Sequence, residues 1–472
     1  MLLRALCFLV LAFWAIPSGM AATPNLVFII ADDCTSRDLG CYGGQAHTPH
    51  LNRLVEEGMK FTRCFQAAPM CSPTRHNIYT GLYPVRSGAY PNHTFANEGT
   101  KSVVHYLRPQ GYRVHLSGKR HIAPPSVFPF EYSGKNNNPD MEAIDQLMTE
   151  SKQSEKPFCL FACSNEPHTP WNKGDASQYD PAALKFPPYL PDTPYVREQF
   201  THYLAEITYF DQQVGDILDL LKKHQLDDST LVMVVSEQGN SLPFAKWTCY
   251  EAGVGSAMIV RWPGHVAPGS TTDAMVEYVD VLPTFLEAAG APVPKVLEGK
   301  SFLPVLLGKT DQHKQWTYSL MTTNGIINGN DCYPIRSVRN EQYRLIWNLN
   351  AAVPFSNACT SSKEFESMLA AGRAGNQQAA EQTDRYLHRP EFELYDVQQD
   401  PFNMHNLADQ PDLQNVRKEM FAQLQSWMKS QGDAGIETEL EAGEHQKRGK
   451  QDEDEAPAPT PKKKRAGKKK SS

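Results

Sequence analysis

The sequence predicts an α/β protein: a large, mostly parallel mixed sheet flanked by helices, then a smaller C-terminal domain of antiparallel sheet plus one helix. Three observations carry this expectation. Apolar runs of strand length alternate with amphipathic stretches of helix length, the pattern of a parallel sheet with crossover helices. Polar clusters follow the C-terminal ends of several of those runs, the edge at which open α/β sheets bind ligands. After about residue 324 the texture shifts to short strand-like runs closed by a single amphipathic helix.

Taken in order, residues 25–31 read as a buried strand ending in Asp32-Asp33. Thr48-Pro49 opens a helix, with Thr as N-cap and Pro at the first position, that ends near Gly58. Ser72-Pro73 repeats that signature and puts Cys71 just before a helix N-terminus. Residues 101–107 are helical, and 112–116 form a strand leading into Gly118-Lys119-Arg120-His121. Another strand, 158–162, precedes His168. A long amphipathic helix fits 197–223. The run 230–235 is a strand ending in Ser236-Glu237-Gln238-Gly239, and 257–261 is a further strand. In the C-terminal part, 335–349 reads as strands around a turn at Asn340-Glu341, 391–397 as a strand and 413–430 as a helix. No internal repeat is evident.

Both ends differ from this body. Residues 1–22 carry Arg4, a short apolar run and small residues at Ala21-Ala22, the pattern of a cleaved secretory signal peptide. The apolar run is shorter than the ~20 residues a membrane span needs, so secretion or export to a periplasm is expected, with no membrane span. Residues 447–472 hold ten of the 46 Lys/Arg and four of the 53 Asp/Glu. Without them and Arg4 the body has 35 basic and 49 acidic residues, a net charge of −14. Export and an acidic body argue against nucleic acid as a partner. The expected division is 1–22 signal peptide, 23–324 main domain, 325–440 C-terminal subdomain and 441–472 disordered charged tail. The ten cysteines show no CxxC pair. Export permits disulfides, and Cys332 with Cys359 is a candidate pair.

Two patterns carry chemistry. Asp32-Asp33 and Glu237-Gln238, each following a strand, offer the oxygen ligands that hard cations take, although paired acids are commonly solvated loop residues. Cys71 at a helix start, with Arg75 one turn on, sits where partial and full positive charge lower a thiol pKa and favour reactivity. The commoner fate of a cysteine is a buried structural thiol.

Cys71-x-Pro73-x-Arg75 followed by Tyr79-Thr80-Gly81 resembles the sulfatase signature. Other segments agree, in the family's order, from about Pro24 to Gln431. Pro24-Asn25-Leu26-Val27 leading into Asp32-Asp33 resembles its opening strand, and Thr48-Pro49-His50-Leu51-Asn52-Arg53-Leu54 its first helix. Gly118-Lys119-Arg120-His121 resembles GKWH, and Glu166-Pro167-His168-Thr169-Pro170 resembles DPHTP. Lys246 before Tyr250-Glu251-Ala252-Gly253 resembles KxxxYEGG. Leu394-Tyr395-Asp396, Asp400-Pro401 and Asn406-Leu407 resemble the C-terminal LYDLxxDPxExxNL stretch.

The resemblance implies that 23–324 is catalytic and that Cys71 is oxidised to formylglycine (3-oxoalanine) by a formylglycine-generating or anaerobic sulfatase-maturating enzyme. The hydrated aldehyde would attack sulfur in line, and its second hydroxyl would lose a proton and expel sulfate, splitting one hard step into two. By the same resemblance Asp32, Asp33, Glu237, Gln238 and position 71 hold Ca2+, ahead of Mg2+, which promotes the nucleophile and offsets growing charge. Arg75 and Lys119 position the diol and His121 takes its proton. Lys119, His168 and Lys246 bind the sulfate, and His168 or Lys246 protonates the leaving oxygen.

The chain departs from the family at Glu237-Gln238, where Asp followed by Asn or His is usual, and at Thr74, where Ser or Ala is usual. The implied substrate is a sulfated carbohydrate. Leu242-Pro243-Phe244-Ala245-Lys246 is loosely similar to heparan N-sulfatases, which adds a sulfamidase activity on N-sulfoglucosamine. A phosphodiesterase or phosphonate hydrolase of the same superfamily and a degenerate glycan-binding protein are the other readings. Loops 136–139 and 329–334 are candidate substrate-contacting segments.

Overall fold

The computed structural model describes residues 23–454, with side chains as far as Gln446. The expected signal segment and most of the basic tail lie outside the described residues. Among the described residues no helix is long and apolar enough to cross a membrane.

The main sheet has nine strands: β1 (Asn25–Ile30), β2 (Met59–Phe65), β3 (Arg113–Gly118), β4 (Glu131–Ser133), β5 (Phe158–Cys163), β6 (Thr230–Val235), β7 (Gly255–Arg261), β8 (Ser270–Thr272) and β9 (Val276–Glu277). Their order is β4-β3-β5-β1-β6-β7-β2-β8, with β9 also on β2. The central run β3-β5-β1-β6 is parallel, and β7 is antiparallel to both its neighbours. Every residue of β1, β5 and β6 is buried, as expected of parallel strands covered on both faces. Val27 and Ile29 of β1 enter one apolar core and Leu26, Phe28 and Ile30 the other, following the two-residue period of a strand. Helices α1 (Pro49–Glu57) and α4 (Pro194–Lys223) cover the first face. On the other face lie Ile78 and Tyr79 of α2 (Cys71–Thr80). Between them in sequence, α3 (Met141–Ser154) packs through Ile144, Leu147 and Met148.

A second sheet is antiparallel, in the order β10 (Thr317–Met321), β11 (Ile335–Arg339), β12 (Tyr343–Asn348) and β13 (Phe392–Asp396). It starts a few residues before the expected boundary at 324/325. Helix α5 (Gln414–Gln431) packs on it through Met420, Leu424 and Trp427. A last helix, α6 (Ile436–Asp454), runs through the boundary expected at 440/441, so residues 441–454 are helical instead of a disordered tail. Buried Ala442 and the stacking of His445 on Phe95, with ring centroids 5.6 Å apart, explain the difference: this segment has a surface to pack on. All nine cysteines from Cys34 to Cys359 are free thiols. The expected Cys332–Cys359 pair is therefore not formed; Cys359 is packed in the core and Cys332 is partly exposed.

The two sheets are joined by the segment that resembles the YEGG element. Glu251 Oε1 accepts from Arg339 Nε at 2.8 Å and Arg344 Nε at 2.7 Å, and Arg339 lies over the Phe65 ring at 4.5 Å. Tyr250 donates to Glu393 of β13 at 2.8 Å. Burial would raise the Glu251 carboxyl, but the two guanidinium groups lower it from 4.5 to about 2. Glu251→Gln is expected to cost about 3 kcal/mol, because it strands two buried cations. A carboxyl depressed on folding contributes stability that is complete above about pH 4.5 and lost as pH falls toward 2. Urea midpoints of both proteins should therefore differ most at neutral pH and converge in acid; an equal gap at every pH would contradict the linkage.

Candidate active site

Four neighbouring parallel strands deliver their following residues to one sheet edge: β1 gives Asp32 and Asp33, β3 gives Lys119 and His121, β5 gives His168, and β6 gives Glu237 and Gln238. Lys246 arrives on the loop before β7. Helix α2 starts at Cys71, two residues earlier than the Ser72-Pro73 signature suggested, and Met70 is the N-cap. All ten residues of α2 are buried, and several of its polar side chains bond backbone carbonyls in or beside the helix. His76 bonds the Ser72 carbonyl at 2.7 Å and the Ala123 carbonyl at 3.0 Å, and Thr74 donates to the Ala68 carbonyl at 2.6 Å.

The side chains converge. Cys71 Sγ lies 3.7 Å from Asp33 Oδ1 and 3.0 Å from Gln238 Nε2, which also bonds Asp33 Oδ1 at 2.7 Å. Asp33 Oδ2 meets Lys246 Nζ at 2.6 Å and His168 Nε2 at 3.5 Å. Lys119 pairs with Asp32. Arg75 reaches Glu237 at 3.0 Å and Asp32 at 3.9 Å, and donates to the Lys119 carbonyl at 3.2 Å. His121 pairs instead with His93, at 2.9 Å. Asn138 of the candidate loop 136–139 turns inward and braces Glu166 at 2.9 Å.

The charges are balanced but strained. Burial would raise Asp32, yet Lys119, above all, with His168 and Arg75, holds it well below the ordinary carboxylate range. Asp33 is likewise lowered against burial, by Lys246 and His168. Burial pushes Glu237 well up, against the pull of Arg75, because Asp32 stands beside it. His168 and His121 are lowered by burial, which favours their neutral forms. Burial, then Asp32, push the Cys71 thiol well above its ordinary value. That reverses the sequence expectation of an activated thiol: the helix N-terminus and Arg75 are outweighed by desolvation and a neighbouring carboxylate.

Asp32, Asp33, Cys71 and Glu237 each offer a ligand atom within 4.8 Å of one another. Apart from the ion pairs of Arg75 with Asp32 Oδ1 and Glu237 Oε1, the buried oxygens Asp32 Oδ1, Glu237 Oε1 and Oε2 and Gln238 Oε1 meet no hydrogen-bond donor. Orphaned acceptors of this kind are costly, and a hard cation bound by oxygen satisfies them together. The residues therefore fit a divalent metal. Sequence reasoning missed Ser241, which donates to Asp33 Oδ2 at 3.1 Å, and Tyr278, which donates to the Glu237 carbonyl at 3.3 Å. Ser241 could have been suspected from its place between Gln238 and Lys246; Tyr278 carried no local signal.

Comparisons with known proteins identify the family. The sulfatase family model matches residues 24–291, and the model described as N-sulphoglucosamine sulphohydrolase, C-terminal, matches 239–355. An ulvan-active sulfatase of Formosa agariphila is 32% identical, over 88% of this chain and 82% of its own length. Human N-sulphoglucosamine sulphohydrolase is 26% identical, over 85% and 89%. The structure of BT4656 in complex with its substrate D-glucosamine-2-N,6-O-disulfate shares the fold, with a TM-score of 0.67 at 20% identity, over 88% of this chain and 99% of the other. The chain belongs to the sulfatase family and is a sulfuric ester hydrolase.

Proposed function

We propose that this enzyme removes sulfate from a sulfated carbohydrate, using formylglycine made from Cys71 and a bound Ca2+. The observation that carries the reading is the setting of Cys71: a thiol unfit to react as itself, fixed at a helix start among carboxylates with orphaned oxygens and the cations Lys119, Lys246 and Arg75. The relatives named for ulvan and N-sulphoglucosamine support a carbohydrate substrate. Asp32, Asp33, Glu237 and Gln238, with an oxygen at position 71, would hold the cation. When bound, it supplies Lewis-acid stabilisation of negative charge. An all-oxygen donor set suits Ca2+; Mg2+ is the second choice.

The protein's own residues have distinct tasks. Arg75, fully buried, orients the group at position 71 and stays charged. Lys119 and Lys246 bring positive charge to the sulfate, and Lys246 or the imidazolium form of His168, made more acidic by burial, gives a proton to the leaving oxygen. His121 accepts the proton from the nucleophile's second hydroxyl. We also assign 23–324 to catalysis, with 325–440 as a bracing subdomain whose strands β11, β12 and β13 complete a sheet with β10 of the catalytic part. Maturation requires a formylglycine-generating or anaerobic sulfatase-maturating enzyme, and export follows cleavage near Ala21 or Ala22.

A second reading, hydrolysis of N-sulfate from glucosamine, is favoured by the match of residues 239–355 to the N-sulphoglucosamine sulphohydrolase C-terminal model. Steady-state kinetics on O-sulfated and N-sulfated saccharides separate the two. The first reading expects kcat/KM at least about tenfold higher for an O-sulfate, within the range by which binding sites discriminate; the reverse order would transfer the assignment to sulfamidase.

Two further outcomes test the site. Peptide mass analysis after co-expression with a formylglycine-generating enzyme should find position 71 as an aldehyde, and Cys71→Ala should lose at least about a thousandfold in kcat. An unmodified thiol in a fully active preparation would sink the proposal. Calcium added to chelator-treated protein should raise its melting temperature, by about 2.7 kcal/mol of stability at a hundredfold excess over Kd. Glu237→Gln should lose most of that increment. Equal stabilisation of both proteins would place the cation elsewhere.

A further inference from the structure

We propose that His93 is a positioning residue that holds the His121 imidazole in one orientation and one tautomer beside the reacting group. This rests on the role given above to His121. His121 Nε2 and His93 Nδ1 lie 2.9 Å apart, with ring centroids 4.7 Å apart and ring planes at 49°. In a neutral pair one ring nitrogen donates and the other accepts, so the bond couples the two tautomers: with His93 Nδ1 as acceptor, His121 carries its proton on Nε2 and keeps Nδ1 as the basic nitrogen. His121 is the base that needs such control, because its Nδ1 is buried without a hydrogen-bond partner.

Both residues are held in the left-handed backbone region, with φ 54° at His93 and 48° at His121, although neither is glycine. Such conformations are sparsely populated and persist where the surroundings enforce them. Here Ser72, adjacent to Cys71, ties the two loops together: its hydroxyl donates to the His121 carbonyl at 3.0 Å and accepts from the Thr94 amide at 3.4 Å. Ala96 donates to the Ala123 carbonyl at 2.9 Å, closing the same seam one step further on. On its other side His93 is fixed through Asn92, whose amide donates to the Asn324 carbonyl at 3.3 Å and whose carbonyl accepts from Gln446 of α6. His93 is thus gripped on both sides by the element that starts at the nucleophile and by the last helix, and its ring is directed at His121.

The test uses the mature enzyme, a nitrophenyl sulfate as probe, and the variants His93→Ala, His93→Asn, His93→Gly and His121→Ala. An asparagine amide can take the place of Nδ1 in a hydrogen bond and tolerates positive φ. His93→Ala should lower kcat roughly tenfold, the scale of losing a group that orients another ligand or base, with KM little changed. His93→Asn should recover most of that loss. Glycine, which only relieves the backbone, should not recover it. A purely structural role would move the melting temperature instead of kcat and would show no rescue by Asn. Wild-type kcat in His93→Ala, or rescue by Gly equal to that by Asn, would overturn the proposal. Full activity in His121→Ala would show that the role assigned to His121 is wrong; loss of activity there beside wild-type His93→Ala would refute only the inference about His93.

Discussion

Asp32, Asp33 and Glu237 are fully buried, and each stands against a cation: Lys119, Lys246 and Arg75. Removing so much charge from water is expensive, and pairing alone repays it only where geometry is very good. The raised carboxyl of Glu237 and the orphaned oxygens around it show that pairing here is incomplete. That shortfall is what a divalent cation on these oxygens would make good. The sheet order follows from the same need, since only adjacent parallel strands bring four C-terminal ends to one place.

The second sheet serves this arrangement from behind. Leu320 of β10 donates to the Ala67 carbonyl at 2.9 Å and Ser319 to the Gln66 carbonyl at 3.0 Å, so β10 braces the segment that enters α2. Glu251 and Tyr250 tie the loop carrying Lys246 to β11, β12 and β13. Asn403 accepts from the Glu251 amide at 2.7 Å, and Asn406 from the Leu394 amide at 2.9 Å. Much of the C-terminal motif is therefore joinery. Asn406 pins β13, and Asn403 beside it ties that part to Glu251.

Strand positions were legible because burial on both faces leaves an apolar run with sharp polar ends, as at 25–31 and 230–235. That residues 32–33, 119–121, 168 and 237–238 gather at one sheet edge was legible because they follow those ends. Three features escaped. The direction of the Cys71 shift depends on Asp32, which is distant in sequence and adjacent only in the fold. Helix α6 looked too polar to pack, but its inner side carries Thr438, Glu439, Ala442, His445 and Gln446, and Glu439 accepts from Thr323 twice. Ser241, Tyr278 and His93 are ordinary loop or core residues until the sheet edge is assembled.

One backbone device recurs at that edge. Asp33 after β1, His121 after β3 and Glu237 after β6 have φ of 61°, 48° and 58°. A chain leaving a parallel strand in extended form would send consecutive side chains to opposite faces. A left-handed residue breaks that alternation, and the acids that follow β1, Asp32 and Asp33, both meet the same pocket. The conformation costs of order 1 kcal/mol or more for each non-glycine residue. Glycine would relieve it but would remove the functional group. The longer Glu237, in place of the family's usual Asp, sits on one of these turns, and its carboxylate still lies within ligand distance of Asp32, Asp33 and Cys71. The turn, more than the length of the side chain, sets where that carboxylate goes.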